Sequence, residues 1–179
     1  MAEVVSSRTV VIAAASRHGS TMDIAARIES TMREHLSPQW SVKLADLSDP
    51  LAFEDADAVV LGSAVYLGHW LRPAIKALHE VRDAPLLDLW LFSTGPISDD
   101  MHENARVITA DELVESGCAT EHMVFAGRLD TSHLSWWERM AVRAVGAAAG
   151  DRRDWSAVDE WAMSIAAQLM ASVAKGPRS

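Results

Sequence analysis

The chain has 179 residues and a single cysteine, Cys118, so no internal disulfide can form. That excludes the disulfide-stapled secreted scaffolds and points to a reducing, cytoplasmic setting. No apolar run reaches the about 18 residues that cross a bilayer. The opening MAEVVSSRTV lacks the basic head and long apolar stretch of a secretory signal. Any membrane contact is therefore expected to be peripheral, at the inner face of the plasma membrane.

Positive charge is also scarce. Lysine and arginine number 16 against 25 aspartates and glutamates, which leaves a net charge of −9. Nucleic-acid binding draws on excess positive charge to meet phosphates, so nucleic acid is not an expected partner. The histidines show none of the pair spacings of zinc sites and the lone cysteine has no companion, so no metal is expected. His35, His79, His102, His122 and His133 read instead as surface or core residues. The G-x-S-x-G elbow of hydrolases is missing as well. Ser63 follows a glycine, but the next glycine, Gly68, comes too late for that turn. No internal repeat or low-complexity tract is present, and only the tail at 174–179 reads as loose.

What remains is a chain that is 49% hydrophobic, enough for one ordinary domain, 1–179, to bury a core without staples. Thr9 to Ala15, Ala56 to Val65 and Leu86 to Thr94 are apolar runs without alternation, as expected of strands covered on both faces. A shorter fourth run covers Glu121 to Gly127. Ser41 to Leu47 alternates, as a strand nearer an edge does. Helical periodicity fills the intervals at Ser20 to Leu36, Trp70 to Val81, Glu103 to Ser116 and Trp155 to Val173. Asp154 is placed to cap the last helix. Alternating strand and helix predicts an α/β fold of three layers: a five-stranded parallel sheet with helices on both faces. Such sheets bind ligands outside the carboxyl ends of their strands, at the switch in strand order. Counted along the chain, with Ser41 to Leu47 as the second strand, the loops after the first, third and fourth strands are the places to look.

The first of these loops is SRHGST, Ser16 to Thr21, between a strand and a helix start. Free backbone N–H groups, the positive end of the helix dipole, three hydroxyls and a glycine make a cradle for one terminal phosphate. It has neither the lysine of a P-loop nor the spaced glycines of a dinucleotide fingerprint. The same loop also reads as an ordinary serine- and threonine-capped helix start, and Arg17 and His18 as solvated residues. The second loop, GSAVYLGHW (Gly62 to Trp70), combines small residues with the only tyrosine, Tyr66, an aromatic able to stack on a flat ring. The third, STGPIS (Ser93 to Ser98), offers hydroxyls and a glycine to a polyol or ring edge.

In this order, the S-x-H-G-x-T, G-S-A-V-Y-x-G and F-S-T-G loops resemble those of the flavodoxin-like family. The resemblance implies strand order 2-1-3-4-5 and bound FMN. It gives Ser16, Arg17, His18, Gly19, Ser20 and Thr21 to the phosphate. Ser63, Ala64, Val65, Tyr66, Leu67 and Gly68 would flank the flavin, with Ser93, Thr94, Gly95 and Pro96 on its other edge. The R-x-G-x-T form, the Y-x-G-H sequence and the closing D-W-x-x-V-x-x-W are most similar to the menaquinone-dependent protoporphyrinogen dehydrogenase branch. That branch implies oxidation of protoporphyrinogen IX, a tetrapyrrole, in haem biosynthesis with a quinone as acceptor. Tyr66 and His69 are the nearest candidates for catalytic side chains. TGPISDD departs from the family pattern by its proline and two acids. An electron carrier with FMN but no substrate of its own is the alternative.

One segment exceeds what a compact sheet needs, Arg128 to Arg153. It carries five arginines against three acids, a local +2 in a chain of net charge −9. A helix through Trp136, Trp137, Met140, Ala141, Ala144, Val145 and Ala148 would have one broad apolar face. Trp136, Trp137, Arg139 and Arg143 suit an apolar ligand with carboxylates or a membrane interface. Packing on the sheet edge, or against a second copy in a homodimer, fits the same pattern.

Overall fold

In the first strand, Val10 to Ala13 expose between 0% and 2% of their surface, as a strand covered on both faces must. The computed structural model describes residues 8–66, 68–82, 84, 88–95, 108–129, 150–151 and 153–174. In chain order they form β1 (Arg8–Ala15), α1 (Ser20–His35), β2 (Trp40–Ala45), β3 (Ala58–Tyr66), β4 (His69–Trp70) and α2 (Arg72–Arg82). Then follow β5 (Asp88–Gly95), α3 (Ile108–Glu115), β6 (Glu121–Ala126), β7 (Arg128–Leu129), β8 (Gly150–Asp151) and α4 (Trp155–Ala174).

The main path of the sheet is β2-β1-β3-β5-β6, all parallel. With β4 set aside, this is the 2-1-3-4-5 order expected from the resemblance. The sheet has six strands rather than five, because β4 folds back antiparallel on the end of β3. The order reverses at β1, whose neighbours are β2 and β3, and this switch point places the carboxyl ends of β1, β3 and β5 side by side. The alternating strand Trp40–Ala45 is indeed at the edge, with Trp40 and Val42 turned inward.

Successive residues of β1, β3 and β5 feed two different core layers. Val10, Ile12, Val60, Trp90 and Phe92 meet α1 and α4. Ala13, Val59, Leu61, Leu89 and Leu91 meet α2 and Leu113 of α3. The apolar stripe of α1, Ile24, Ala25, Ile28 and Met32, is wholly buried. Each such isoleucine contributes about 1.5–3 kcal/mol by leaving water. In α4 the stripe Val158, Trp161, Ala162 and Ile165 is buried, and Trp161 packs edge-on against Phe92 and Phe125. Asp154 caps this helix through the Ala157 N–H at 3.1 Å.

Two boundaries differ from expectation. Trp70, expected to open a helix, is a β4 residue, and α2 starts at Arg72, one residue before Pro73. Helix α3 is described from Ile108, and the expected start at Glu103 lies outside the described residues. Ala174 still belongs to α4, so the expected tail begins one residue early. The long segment leaves and returns through a two-stranded antiparallel ribbon, Arg128 opposite Asp151 and Leu129 opposite Gly150.

Candidate functional site

The candidate site begins where β1 gives way to α1. Gly19 is the N-cap of α1 in the left-handed conformation, φ 84°, and no side chain caps the helix from that position. The first helical bond is Asp23 N–H to Gly19 carbonyl at 2.9 Å. The reading of this loop as an ordinary serine- or threonine-capped start is therefore set aside. Ser20 and Thr21 lie inside the helix, and the cap position is a glycine whose conformation strains any side chain.

Thr21 is buried, and its hydroxyl lies 2.6 Å from that of Thr94 in β5. The first and third loops are thus fastened from below. Gly127, just past β6, donates to the Gly95 carbonyl at 3.1 Å, and a methyl group built on Gly127 would stand 3.7 Å from Ser20 Oγ. The ends of β5 and β6 and the start of α1 therefore meet in one place.

On the other side, β3 turns into β4 through residues 67 and 68, Gly68 having φ 78°. Tyr66 and His69 are direct cross-strand partners, so the two candidate catalytic residues close the hairpin together. His69 is exposed, Tyr66 is half-buried, and the Arg17 guanidinium carbon stands 5.1 Å from the centre of the Tyr66 ring. The phosphate-loop candidate Arg17 and the ring-stacking candidate Tyr66 are neighbours.

The hairpin is held by a polar link beneath it. Trp70 Nε1 donates to Ser93 Oγ at 2.8 Å, and Ser93 Oγ lies 2.8 Å from His122 Nε2. Ser63 is fully buried, accepts the Leu71 N–H at 3.0 Å and donates to the Ala64 carbonyl. The side chains of Ser63, Ser93, Thr94 and Thr21 thus bond inside the protein and set the loops, while Ser16, Arg17, His18 and Ser20 remain at least partly exposed. The resemblance gave all eight to the cofactor. The structure shows the hydroxyls of the first four bonded inside the protein. Trp70 and His122 are supports that sequence reading missed, since 23 and 29 residues separate them from Ser93. Leu67, Pro96, Trp136, Trp137, Arg139 and Arg143 lie outside the described residues.

The long segment joins the same place. Arg153, just past β8, donates to Asp23 of α1 at 2.7 Å and stacks over Trp155 at 4.5 Å. Among the described residues no group of histidine, cysteine and acid side chains suits a metal, and no helix is long and apolar enough to cross a membrane.

A family model described as a flavodoxin domain matches residues 11–156. The chain belongs to the flavodoxin-domain family. Flavodoxin domains bind FMN and move electrons, so the cofactor and the redox class expected from the sequence stand. Solved flavodoxin-type structures share the fold. The flavodoxin of Streptococcus pneumoniae TIGR4 is 16% identical over 89% of this chain and 99% of that one, with a TM-score of 0.60. The flavodiiron core of Flv1 from Synechocystis sp. PCC6803 is 12% identical over 93% of this chain, with a TM-score of 0.64. Rubredoxin oxygen:oxidoreductase from Desulfovibrio gigas is 18% identical over 93% of this chain, with a TM-score of 0.63. The chain spans 37% of the length of each of the last two. No curated protein matches it by sequence.

The described residues fit FMN. His18 Nε2, in the loop before α1, is buried without a hydrogen-bond partner, a polar atom that an anionic phosphate would satisfy. Open space surrounds the position of a side chain on Gly19, so the backbone there is accessible to a ligand.

Proposed function

We propose that this flavodoxin domain is an FMN-dependent oxidoreductase that oxidises protoporphyrinogen IX and passes the electrons to a quinone. In this reading Ser16, Arg17, His18, Gly19 and Ser20, with the backbone of Thr21, hold the phosphate at the start of α1. The Ala64 to Gly68 loop and the Thr94 to Pro96 stretch flank the ring. When bound, FMN supplies the redox chemistry, accepting hydrogen equivalents and releasing electrons. The chain contributes position. Tyr66 covers one ring face, and Arg17 over Tyr66 brings positive charge to the same corner. His69, exposed beside Tyr66, is placed to accept a proton from a substrate at the hairpin.

The observation that carries the substrate role is the β7–β8 ribbon. It closes the base of the 130–149 excursion directly after Gly127, which bonds to Gly95 at the cofactor edge, and Arg153 ties its exit to α1. Trp136 and Trp137 supply apolar surface and Arg139 and Arg143 supply partners for the propionate carboxylates of a tetrapyrrole. Both ends of that supply are anchored beside the phosphate loop.

The second reading is an electron carrier without a substrate of its own. It is favoured by the near-complete overlap with the pneumococcal flavodoxin. Removing Leu134 to Ala149 separates the two. The dehydrogenase reading expects FMN to stay bound and protoporphyrinogen turnover to be lost. Unchanged turnover contradicts the substrate role of the segment, and a full-length flavoprotein that protoporphyrinogen does not reduce supports the carrier.

A further inference from the structure

A cavity of about 940 Å³ opens at the carboxyl ends of β1 and β2, beside the start of α2. Its lining includes neither Tyr66 nor Gly95 and meets the phosphate loop only at Ser16. Its lining has two characters. Ala14, Leu44, Leu47 and Leu71 form an apolar floor, and Leu44 is 40% exposed, one of few large apolar side chains so open to water among the described residues. Arg72 and Lys76, one helical turn apart on α2, form a cationic wall.

Among the described residues neither cation makes an ion pair, and the first turn of α2 holds no acid. One carboxylate also lines the space, that of Asp46. It accepts the Ser48 N–H at 2.8 Å, closing a turn after β2, and that bond holds its pKa below the usual carboxylate value. Two cations against one turn-bound carboxylate leave the lining at +1 in a chain of −9. Uncovered leucine surface favours an apolar body, and an unpaired cationic wall favours an anionic end.

We propose that this cavity is a second binding site, for a small amphipathic carboxylate. Its apolar body lies on Leu44, Leu47 and Leu71 and its acid group meets Arg72 and Lys76. The size suits a molecule larger than a single amino acid, since ligand cavities of about 300–1,000 Å³ hold drug-sized molecules. The inference does not rest on bound FMN. The lining reaches the phosphate loop at Ser16, so an occupant is placed to sense or adjust that loop.

The test uses the full chain and anilinonaphthalene sulfonate, a fluorescent probe with an aromatic body and one anionic group. The native protein is expected to enhance its fluorescence saturably, and decanoate is expected to displace it while decyltrimethylammonium does not. Replacing both cations, Arg72→Gln with Lys76→Gln, is expected to weaken the probe about tenfold or more, as loss of charge-assisted bonds does. Leu44→Asp should weaken it comparably by placing an acid on the floor. Both variants should keep the native circular dichroism and the native FMN affinity, so a failure of the cavity and a failure of the cofactor reading give different results. No saturable binding, equal displacement by the cationic amphiphile, or unchanged binding in two folded variants would each overturn the site.

Discussion

The hydroxyl of Thr21, in the first turn of α1, lies 2.6 Å from the hydroxyl of Thr94, near the end of β5, and both residues are buried. This contact joins the start of α1 to the end of β5, the two places that the proposed site gives to the phosphate and to the ring edge. Thr94→Val keeps the shape of the side chain but leaves Thr21 Oγ1 buried without its partner. The expected cost is about 1–3 kcal/mol of stability, with weaker FMN binding, and Thr94→Ser should recover most of both. Urea unfolding and FMN titration of the two variants check this.

In the proposed site Tyr66 is the aromatic that stacks on the flavin ring. Tyr66→Ala should raise the FMN dissociation constant about tenfold, while Tyr66→Phe should stay close to the native value. Equal affinity in all three proteins would remove Tyr66 from the site.

A methyl group at position 62 would sit 2.1 Å from Phe92 Cζ, inside the van der Waals radius of the ring. Phe92 is itself fully buried between Phe125 and Trp161. It has no room to swing aside. Gly62→Ala is expected to cost at least about 1–3 kcal/mol, the usual range for overpacking, read as a lower urea midpoint.

Helices α1 and α4 are clamped by Asp159. It accepts from Arg27 Nε at 2.7 Å and Nη2 at 2.6 Å and from Thr31 Oγ1 at 2.8 Å. The bond from Arg27 holds the Asp159 carboxyl below the usual carboxylate range. Its contribution is therefore fully present above the unfolded pKa, about 3.9, and is lost as the pH falls through the lower folded value. Asp159→Asn should cost about 1 kcal/mol at neutral pH, a modest figure because the pair is partly solvated, and should flatten the acid limb of stability. The same deficit at pH 7 and at pH 2 would contradict the assignment.

The sheet was legible because its central strands are buried on both faces and so read as continuous apolar runs. The same property hid which way the polar residues in those runs point. Without alternation nothing in the sequence assigns Ser63 and Ser93 to the α2 face or Thr94 to the α1 face. All were read as flanking the cofactor, and the structure shows their hydroxyls bonded to Leu71, Trp70 and Thr21. β4 was missed because two residues carry no period, and Trp70 fitted the helical spacing that begins after it. Arg17 and Tyr66 were singled out by residue type, whereas their meeting depends on β1 and β3 pairing at the switch point.

The most direct test of an FMN-dependent protoporphyrinogen dehydrogenase is an absorbance titration of the purified chain with FMN, followed without oxygen by protoporphyrinogen IX and then a menaquinone analogue. The account predicts a saturable shift of the flavin bands, bleaching by the tetrapyrrole and recovery with the quinone. Flavin that binds but is not bleached contradicts the dehydrogenase, and a free-FMN spectrum at every protein concentration contradicts the site at Ser16 to Thr21 itself.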